Sequence, residues 1–288
     1  MATLRDIKRR IVSVKSTQQI TNAMKMVAAA KLRRAQQRLF NARPYAEGLH
    51  KFLAHVAAQS GGPSHPLLEV RQPEATCYLV VTGDRGLCGS FNANVSRRTQ
   101  SEVDACGGAQ SARLIIFGRK GFEFFSRRGY DIVEKHINLF NELEFAHART
   151  VSLSLQRRYL AGEFDRVYLV YNWFKSVGAH EVVVKQLLPF QPEMPESDKY
   201  ELGDFIYEPS PKKIMDEIIP KNLDIQVWRA LLESYAAEQA ARMIAMGAAT
   251  DNAQDMIHAM TLHYNKVRQA AITTEISEIV AGAEALRG

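Results

Sequence analysis

Long apolar runs and paired cysteines are both missing from this sequence of 288 residues. No window approaches the roughly 18 uninterrupted apolar residues that suggest a membrane-spanning helix, and no apolar stretch near the N-terminus precedes a small-residue cleavage site. The cysteines, Cys77, Cys88 and Cys106, are odd in number and show no CxxC spacing, which predicts reduced thiols. We therefore expect a soluble protein in a reducing compartment.

Spacings that hold metals or carry catalysis are also missing. The eight histidines show neither HxxxH nor HExxH spacing, so no zinc site of the helical type is predicted. Among the scattered acids, Glu275 and Glu278 form the only suggestive helical pair. Carboxylates three residues apart on a helix are more often a solvated face than general acid and base machinery. The sequence therefore predicts no metal, no cofactor and no catalytic residue.

A glycine-rich segment, Gly83 to Gly89, lies between a predicted strand and a predicted helix, where phosphate-binding loops occur. Its GxxGxxG spacing differs from both GxGxxG and the GxxxxGK[ST] phosphate loop, and no lysine follows to reach a phosphate. We interpret it as a tight turn at a subunit contact, with nucleotide binding as the alternative. Cys88 is expected to be a small buried residue of this turn rather than a reactive thiol.

Positive charge is concentrated at the N-terminal end of the chain. The net charge is +6, but residues 1–40 alone contribute +9, from ten Lys or Arg against the single acid Asp6, and the remainder sums to −3. Such a segment predicts an acidic partner. Nucleic acid, anionic lipid and an acidic protein surface all meet that requirement. The basic residues are Arg5, Lys8, Arg9, Arg10, Lys15, Lys25, Lys31, Arg33, Arg34 and Arg38.

The first 60 residues carry the apolar repeat of a long coiled-coil helix. Thr3 and Asp6 have the spacing of a capping box, which predicts the helix start. Alanines at one core position allow a partner helix to approach closely. Pro44 predicts a kink near residues 41–43, and residues 61–63 are expected to end the helix. The repeat positions are Leu4, Ile7, Ile11, Val14, Gln18, Thr21, Lys25, Ala28, Leu32, Ala35, Leu39, Ala42, Ala46, Leu49, Leu53 and Val56.

A second long helix is predicted over residues 222–286, which contain no proline. Both helices exceed the usual length of a globular helix, so we expect them to form a coiled coil with each other. Polar members such as Gln18, Thr21 and Thr250 indicate a seam that is not optimised for burial, and Gly247 should weaken its helix by about 1 kcal/mol. The second set is Met243, Met246, Thr250, Ala253, Ile257, Met260, Tyr264, Val267, Ala271 and Thr274.

Between these helices, short β-branched runs alternate with helical stretches, as in a small α/β domain. Strands are predicted at 75–82, 113–117, 166–171 and 181–188, and helices at 93–105, 120–128 and 143–162. Residues 189–211 are rich in proline, which predicts an extended link to the second long helix.

Four segments of the chain resemble the gamma subunit family of F-type ATP synthases, and the likeness covers essentially the whole sequence. The two most specific are Ser16–Ala29 and Ile272–Ala283, and two shorter ones are Asp84–Gly89 and Ala248–Ala253. The resemblance implies an α+β fold, with a long antiparallel coiled coil of N- and C-terminal helices plus a central Rossmann-like α/β domain. The implied domains are residues 1–60, 61–210 and 211–288.

The same resemblance implies a function and a set of partners. The chain would be the non-catalytic central rotor stalk, coupling ion flow through a membrane ring to ATP synthesis or hydrolysis. Its partners would be the alpha and beta subunits, the epsilon subunit and the c-ring, at the cytoplasmic face of a bacterial inner membrane. Residues 189–221 contain no cysteine, so the thiol regulation of chloroplast members is not expected.

The resemblance also implies particular contact residues. Those toward the beta subunits are Met24, Lys25, Arg33, Arg34, Gln269 and Glu275, and those toward the c-ring or epsilon are Arg85, Tyr207 and Glu208.

Two alternative functions stay open at this point. A basic coiled-coil protein could bind nucleic acid, although neither a zipper basic region nor a helix-turn-helix is apparent. A dinucleotide-dependent α/β enzyme is the other alternative. The Arg-rich start also resembles a mitochondrial transit peptide, but the apolar repeat runs unbroken from Leu4 into the helix, so we expect it to be retained.

Overall fold

The computed structural model describes residues 3–59, 65–72, 74–191, 208 and 210–285. The elements form two compact units: the coil unit, Met1–Ala28 with Met243–Gly288, and the sheet unit, Ala29–Arg242. The helices are α1 (Leu4–Gln59), α2 (Phe91–Ala105), α3 (Arg119–Ser126), α4 (Phe145–Leu160) and α5 (Pro211–Ala285). The strands are β1 (Thr76–Val81), β2 (Ala112–Phe117), β3 (Asp131–His136), β4 (Arg166–Ser176) and β5 (Ala179–Leu188).

The coil unit pairs the first part of α1 with the last part of α5. Gln18 donates its Nε2 hydrogen to Oε1 of Gln254 at 2.6 Å, and the hydroxyl oxygens of Thr21 and Thr250 lie 2.8 Å apart. Residue numbers rise along one helix as they fall along the other, so the pair is antiparallel, as predicted. The buried side chains of this seam are Ile7, Ala28, Met246, Ala253 and Ile257.

The predicted repeats are confirmed along most of their length. In the sheet unit, Leu32, Ala35, Leu39 and Leu53 of α1 are buried. In the coil unit the second set is buried or half-buried as far as Ala271. Thr274 was wrongly included in the seam, because every described residue from 272 to 285 is exposed.

The start of α1 has the predicted capping box. The Thr3 backbone N–H donates to Oδ2 of Asp6 at 3.1 Å, and the Asp6 N–H donates to Oγ1 of Thr3 at 3.3 Å. Two free backbone donors of the first turn are thus satisfied. The helix continues through Pro44 to Gln59, and the predicted stop at residues 61–63 lies outside the described residues.

The sheet unit is built on a five-stranded sheet in the order β3-β2-β1-β4-β5. The first four strands are parallel and β5 is antiparallel to β4. Alternate residues of the central strand β1 face opposite cores. Cys77, Leu79 and Val81 join the core shared with α1, α4 and α5, and Tyr78 and Val80 join the core shared with α2 and α3. This is the predicted central α/β arrangement.

Two elements differ from the sequence-based expectation. β3 was not predicted, because this edge strand (DIVEKH) is only half-buried and carries charges that mask the pattern of a strand. The second long helix begins at Pro211, the start of the implied third domain, and so extends upstream of the proline-free stretch from residue 222 and contains Pro220. Proline is favourable in a first helical turn, and the Ser210 hydroxyl accepts a hydrogen bond from the Lys213 N–H at 3.4 Å.

Candidate functional site

In the coil seam, the side chain of Lys25 on α1 lies beside Gly247 on α5. A Cβ added to Gly247 would meet the end of the Lys25 side chain at 3.7–3.9 Å. These distances are ordinary van der Waals contacts, so the lysine stem lies along α5 beside Gly247, while the Lys25 side chain stays exposed. This accommodates Lys25, the one charged member of the predicted seam.

Beyond Ala271, every described residue of α5 is exposed. Apolar side chains persist there even so: Ile272, Ile276, Ile279 and Val280 are between 46% and 71% exposed. A row of exposed large apolar residues on a helix is a feature of interaction surfaces. The coil unit therefore ends in a helix suited to contact with another molecule.

The predicted contact residues of the coil unit lie at two separate levels. Met24 is half-buried, and Lys25 is exposed. Lys25 lies beside Gly247. Gln269 and Glu275 are exposed on α5. Gln269 follows Gly247 by 22 residues, which is about 33 Å along a helix. These residues therefore do not form one compact site.

The other predicted contact residues belong to the sheet unit. Arg33 and Arg34 are adjacent and exposed on α1, Arg85 is exposed in the glycine-rich segment, and Glu208 is exposed in a bend. Tyr207 lies outside the described residues.

The glycine-rich segment is held by hydrogen bonds within the sheet unit. The Gly83 N–H donates to Oδ1 of Asn92 at 2.8 Å. Oδ1 of Asp84 accepts from the N–H groups of Arg119 and Asn138, at 3.0 and 2.8 Å. Asp84 thereby caps the start of α3, where a phosphate would otherwise find free donors. Cys88 is buried, and burial raises the pKa of its thiol, so it is the small buried residue that we expected rather than a reactive thiol.

The tip of this segment carries backbone strain. Leu87 has φ +62°, a left-handed conformation that is unfavourable for a residue with a branched side chain. Its side chain is 62% exposed, so burial gives no compensating stabilisation within this chain. Strain of this kind accumulates at contact and switch sites.

A buried ion pair lies directly behind Gly83. Glu238 and Arg242 of α5 are 2.6 Å apart, and Arg242 also donates to the Gly86 carbonyl at 3.3 Å. Burial raises the pKa of Glu238, and the charge of Arg242 opposes that shift. A Cβ on Gly83 would lie only 2.9 Å from the Glu238 carboxyl carbon. Gly83 is therefore required by packing against this carboxylate.

Sequence reasoning missed this pair and a second one next to it on α5. Arg229 donates to Oε1 of Glu233 at 2.8 Å, and Glu233 is 2% exposed. Desolvation raises the pKa of Glu233, and hydrogen bonds from Arg229 and Tyr171 oppose the rise. Opposite charges four residues apart were visible in the sequence. Their burial was not, because it depends on the sheet that packs against α5.

No group of three or more His, Cys, Asp or Glu among the described residues could hold a metal ion. No described helix is long and apolar enough to cross a membrane.

Comparison with known proteins identifies the class. Residues 3–286 match the family model described as ATP synthase. The chain is therefore a subunit of an ATP synthase. The chain is 48% identical to the ATP synthase gamma chain of Chlorobaculum parvum, with 100% of both chains covered. It is also 48% identical to that of Pelotomaculum thermopropionicum, over 99% of this chain and 100% of the relative. The chain belongs to the family of ATP synthase gamma chains.

Solved structures agree with this assignment. The central stalk and c-ring structure of the Tetrahymena thermophila mitochondrial ATP synthase contains a chain with 28% identity and a TM-score of 0.61, covering 80% of this chain and 99% of that one. A chain of the Euglena gracilis OSCP/F1/c-ring structure has the same fold, with 19% identity, a TM-score of 0.71, and 98% and 94% coverage. The nucleic-acid and dinucleotide alternatives receive no support from these comparisons.

Proposed function

We propose that this chain is the central rotor shaft of an F-type ATP synthase and contains no active site of its own. It would couple ion flow through a membrane ring to ATP synthesis or hydrolysis in a hexamer of alpha and beta subunits. The observation that carries the proposal is the antiparallel coil unit, whose α5 continues uncovered past Ala271, in a chain that gamma chain relatives match from end to end.

Charge asymmetry between the two helices of the coil unit supports a rotary role. Met1–Ala28 carries six Lys or Arg against one acid, whereas Met243–Gly288 carries three against five. One helix is therefore basic and the other slightly acidic. A coil of this kind presents a different potential in each direction around its axis.

Such asymmetry is what a shaft needs among several equivalent partners. Each partner subunit would meet a different face at a given angle, and rotation would change which one meets the basic helix. A ligand or partner can shift a conformational equilibrium only through differential affinity for its states. We infer that the basic helix biases the beta subunits in turn among tight, loose and open states.

The proposed contacts divide between the two units. In the coil unit, Met24, Lys25, Gln269 and Glu275 would contact the beta subunits, joined by Arg33 and Arg34 of the sheet unit. Arg85, Tyr207 and Glu208 would approach the c-ring and the epsilon subunit. The strained, exposed Leu87 next to Arg85 supports a contact role for that loop. The complex would lie at the cytoplasmic face of a bacterial inner membrane.

A rotation assay on the assembled complex tests the proposal. Of the three cysteines, Cys106 is exposed and Cys77 and Cys88 are buried, so a bead can be attached selectively through Cys106. With the alpha and beta subunits fixed to a surface, we expect ATP to drive rotation in one direction, and the Cys106→Ser variant to bind no bead. Failure to assemble with alpha and beta subunits, or hydrolysis without directional rotation, would reject the shaft assignment.

A pair of matched variants tests the beta contacts. Replacing Arg33 and Arg34 by Gln should weaken binding to the hexamer and reduce its dependence on salt, because rim charges govern steering and salt dependence. The control replaces Arg97 and Arg98, another adjacent and exposed pair on α2, and should change neither. Equal effects of the two double variants would remove Arg33 and Arg34 from the proposed interface.

A further inference from the structure

A half-open cavity of about 480 Å³ lies in the sheet unit among α1, α4 and α5. No residue that lines it belongs to the contact surfaces proposed above. Ala42 and Ala46, one turn apart on the same face of α1, leave the space open because they carry only methyl groups.

The interior of the cavity is apolar and aromatic. Leu39 and Ile225 are buried in its wall. The rings of Phe145 and Trp228 meet edge to face, with centroids 5.9 Å apart and planes at 86°. Phe145 is 43% exposed, so its ring has surface available to an incoming group. Aromatic groups pack favourably in stacked or edge-on arrangements against such rings, which favours a flat aromatic occupant.

The rim of the cavity is strongly basic. Four cations, Arg43, Arg149, Lys221 and Arg229, line it against one acid, Asp224. Lys221 lies 3.3 Å from the Glu217 carboxylate, and Arg229 lies 2.8 Å from that of Glu233. Neither Arg43 nor Arg149 has a carboxylate within ion-pair distance among the described residues. An excess of positive charge over an apolar interior favours an anionic group at the mouth.

Asp224 provides a specific polar anchor. Its side chain is buried, at 8% exposed, and its Oδ1 atom has no hydrogen-bond partner among the described residues. Burial raises the pKa of Asp224, while a hydrogen bond from Ser152 and the charge of Arg149 oppose the rise. A buried acceptor without a donor is unfavourable, so a ligand that supplies an N–H or O–H would remove that cost.

We propose that this cavity binds a flat aromatic anion that also carries an N–H or O–H donor. The ring would pack against Phe145 and Trp228, the anionic group would lie at Arg43 and Arg149, and the donor would reach Oδ1 of Asp224. Purine nucleotides and hydroxylated aromatic acids both have this chemistry. The proposal does not depend on the rotor function, because it concerns the surface of the sheet unit alone.

Binding of a fluorescent probe to the full chain tests the proposal. The probe is a hydroxynaphthalene sulfonate, which has the ring, the anion and the donor, and its partner compound is the naphthalene sulfonate without the hydroxyl. We expect saturable binding at one site, about tenfold weaker for the compound without the donor, because hydrogen bonds to charged groups are among the stronger ones. Equal affinity of the two compounds would contradict the role of Asp224.

Two variants locate the site. Ala46→Leu should fill the cavity and weaken binding about tenfold or more, because the ring can no longer enter. Arg149→Gln should weaken binding about threefold and reduce its salt dependence. Arg157→Gln, an exposed position on the same helix that does not line the cavity, should leave binding unchanged. Circular dichroism checks that each variant is folded.

The outcomes are decisive in either direction. Binding to Ala46→Leu within twofold of the wild type would overturn the proposal. If that variant does not fold, equal binding by Arg149→Gln and Arg157→Gln overturns it instead. Competition experiments distinguish purine nucleotides from hydroxylated aromatic acids. Displacement of the probe by AMP identifies nucleotides as occupants, and displacement by hydroxybenzoate identifies aromatic acids. Displacement by neither would also reject the proposed ligand class.

Discussion

Substitution of Gly83 by alanine tests the packing of the glycine-rich segment against the buried ion pair. The new Cβ would lie 2.9 Å from Cδ of Glu238 and 3.1 Å from each carboxylate oxygen, so atoms must move. Gly83 is not in a left-handed conformation, because its φ is not positive. The cost is therefore steric rather than conformational.

Both ways of relieving this clash are unfavourable. If Glu238 moves, its 2.6 Å contact with Arg242 is lost, and breaking a buried pair typically costs about 3–5 kcal/mol. If the loop moves instead, the bond from the Gly83 N–H to Asn92 is lost. Overpacking of a filled site usually costs about 1–3 kcal/mol, so we expect Gly83→Ala to destabilise the sheet unit by that amount. For a unit of this size, the melting temperature should fall by about 2–12 °C.

The same loop supplies a matched control. A Cβ on Gly86 would meet nothing within 4 Å, so Gly86→Ala should change the free energy of unfolding by less than about 0.5 kcal/mol. Urea denaturation followed by circular dichroism measures both variants. In a Glu238→Ala background, where the carboxylate is absent, Gly83→Ala should lose most of its effect. Equal stability of Gly83→Ala and Gly86→Ala would refute the argument.

Three further predictions concern the coil seam, the first turn of α1 and the strained loop. Thr21→Val should destabilise the coil unit by less than about 1 kcal/mol, because the Thr250 hydroxyl keeps its hydrogen bond to the Met246 carbonyl at 2.7 Å. Hydrogen exchange of the coil amides measures the change, and a larger loss would show that the contact between the two hydroxyls dominates this part of the seam. Hydrogen bonds from the side chain and the backbone N–H of Thr3 lower the pKa of Asp6. The capping stabilisation is therefore present above the pKa of Asp6 in the unfolded chain and is lost as the pH falls through its pKa in the folded chain. Thr3→Val should raise the folded-state pKa in an NMR titration of the Asp6 carboxyl carbon, and an unchanged value would contradict the assignment. Leu87→Asn should stabilise the sheet unit by up to about 1 kcal/mol, because Asn tolerates positive φ. The same change should weaken assembly with partners. Destabilisation in thermal melting would show instead that the leucine side chain packs within the chain.

The features that sequence reasoning predicted correctly are those that local pattern determines. The apolar repeat of α1 depends only on a spacing of 3.5 residues, and the capping box depends on Thr3 and Asp6 being three apart. Parallel strands such as β1 are buried on both faces and show continuous apolar runs. These signals survive without knowledge of the tertiary structure.

The features that were missed depend on tertiary contacts. Pro220 lies inside α5, where packing with the sheet unit overrides a local signal against helix. The burial of Glu233 and Glu238 depends on which face of α5 meets the sheet, and i, i+4 spacing alone is equally typical of a solvated helix face. The cavity beside Trp228 is formed by three helices, none of which shows it alone.

Burial along α5 changes in three stages that suit a shaft. From Asn222 to Ala241, within the sheet unit, most residues are buried on every side, including the two ion-paired glutamates. From Met243 to Ala271, within the coil unit, burial is confined to the seam, and beyond Ala271 it ceases. Local stability follows the density of buried contacts, so the helix should be held most firmly in the sheet unit and least at its end. Such a gradient suits a shaft that is turned from one part and contacted by changing partners at the other, because residues 272–285 keep their side chains available to each partner in turn.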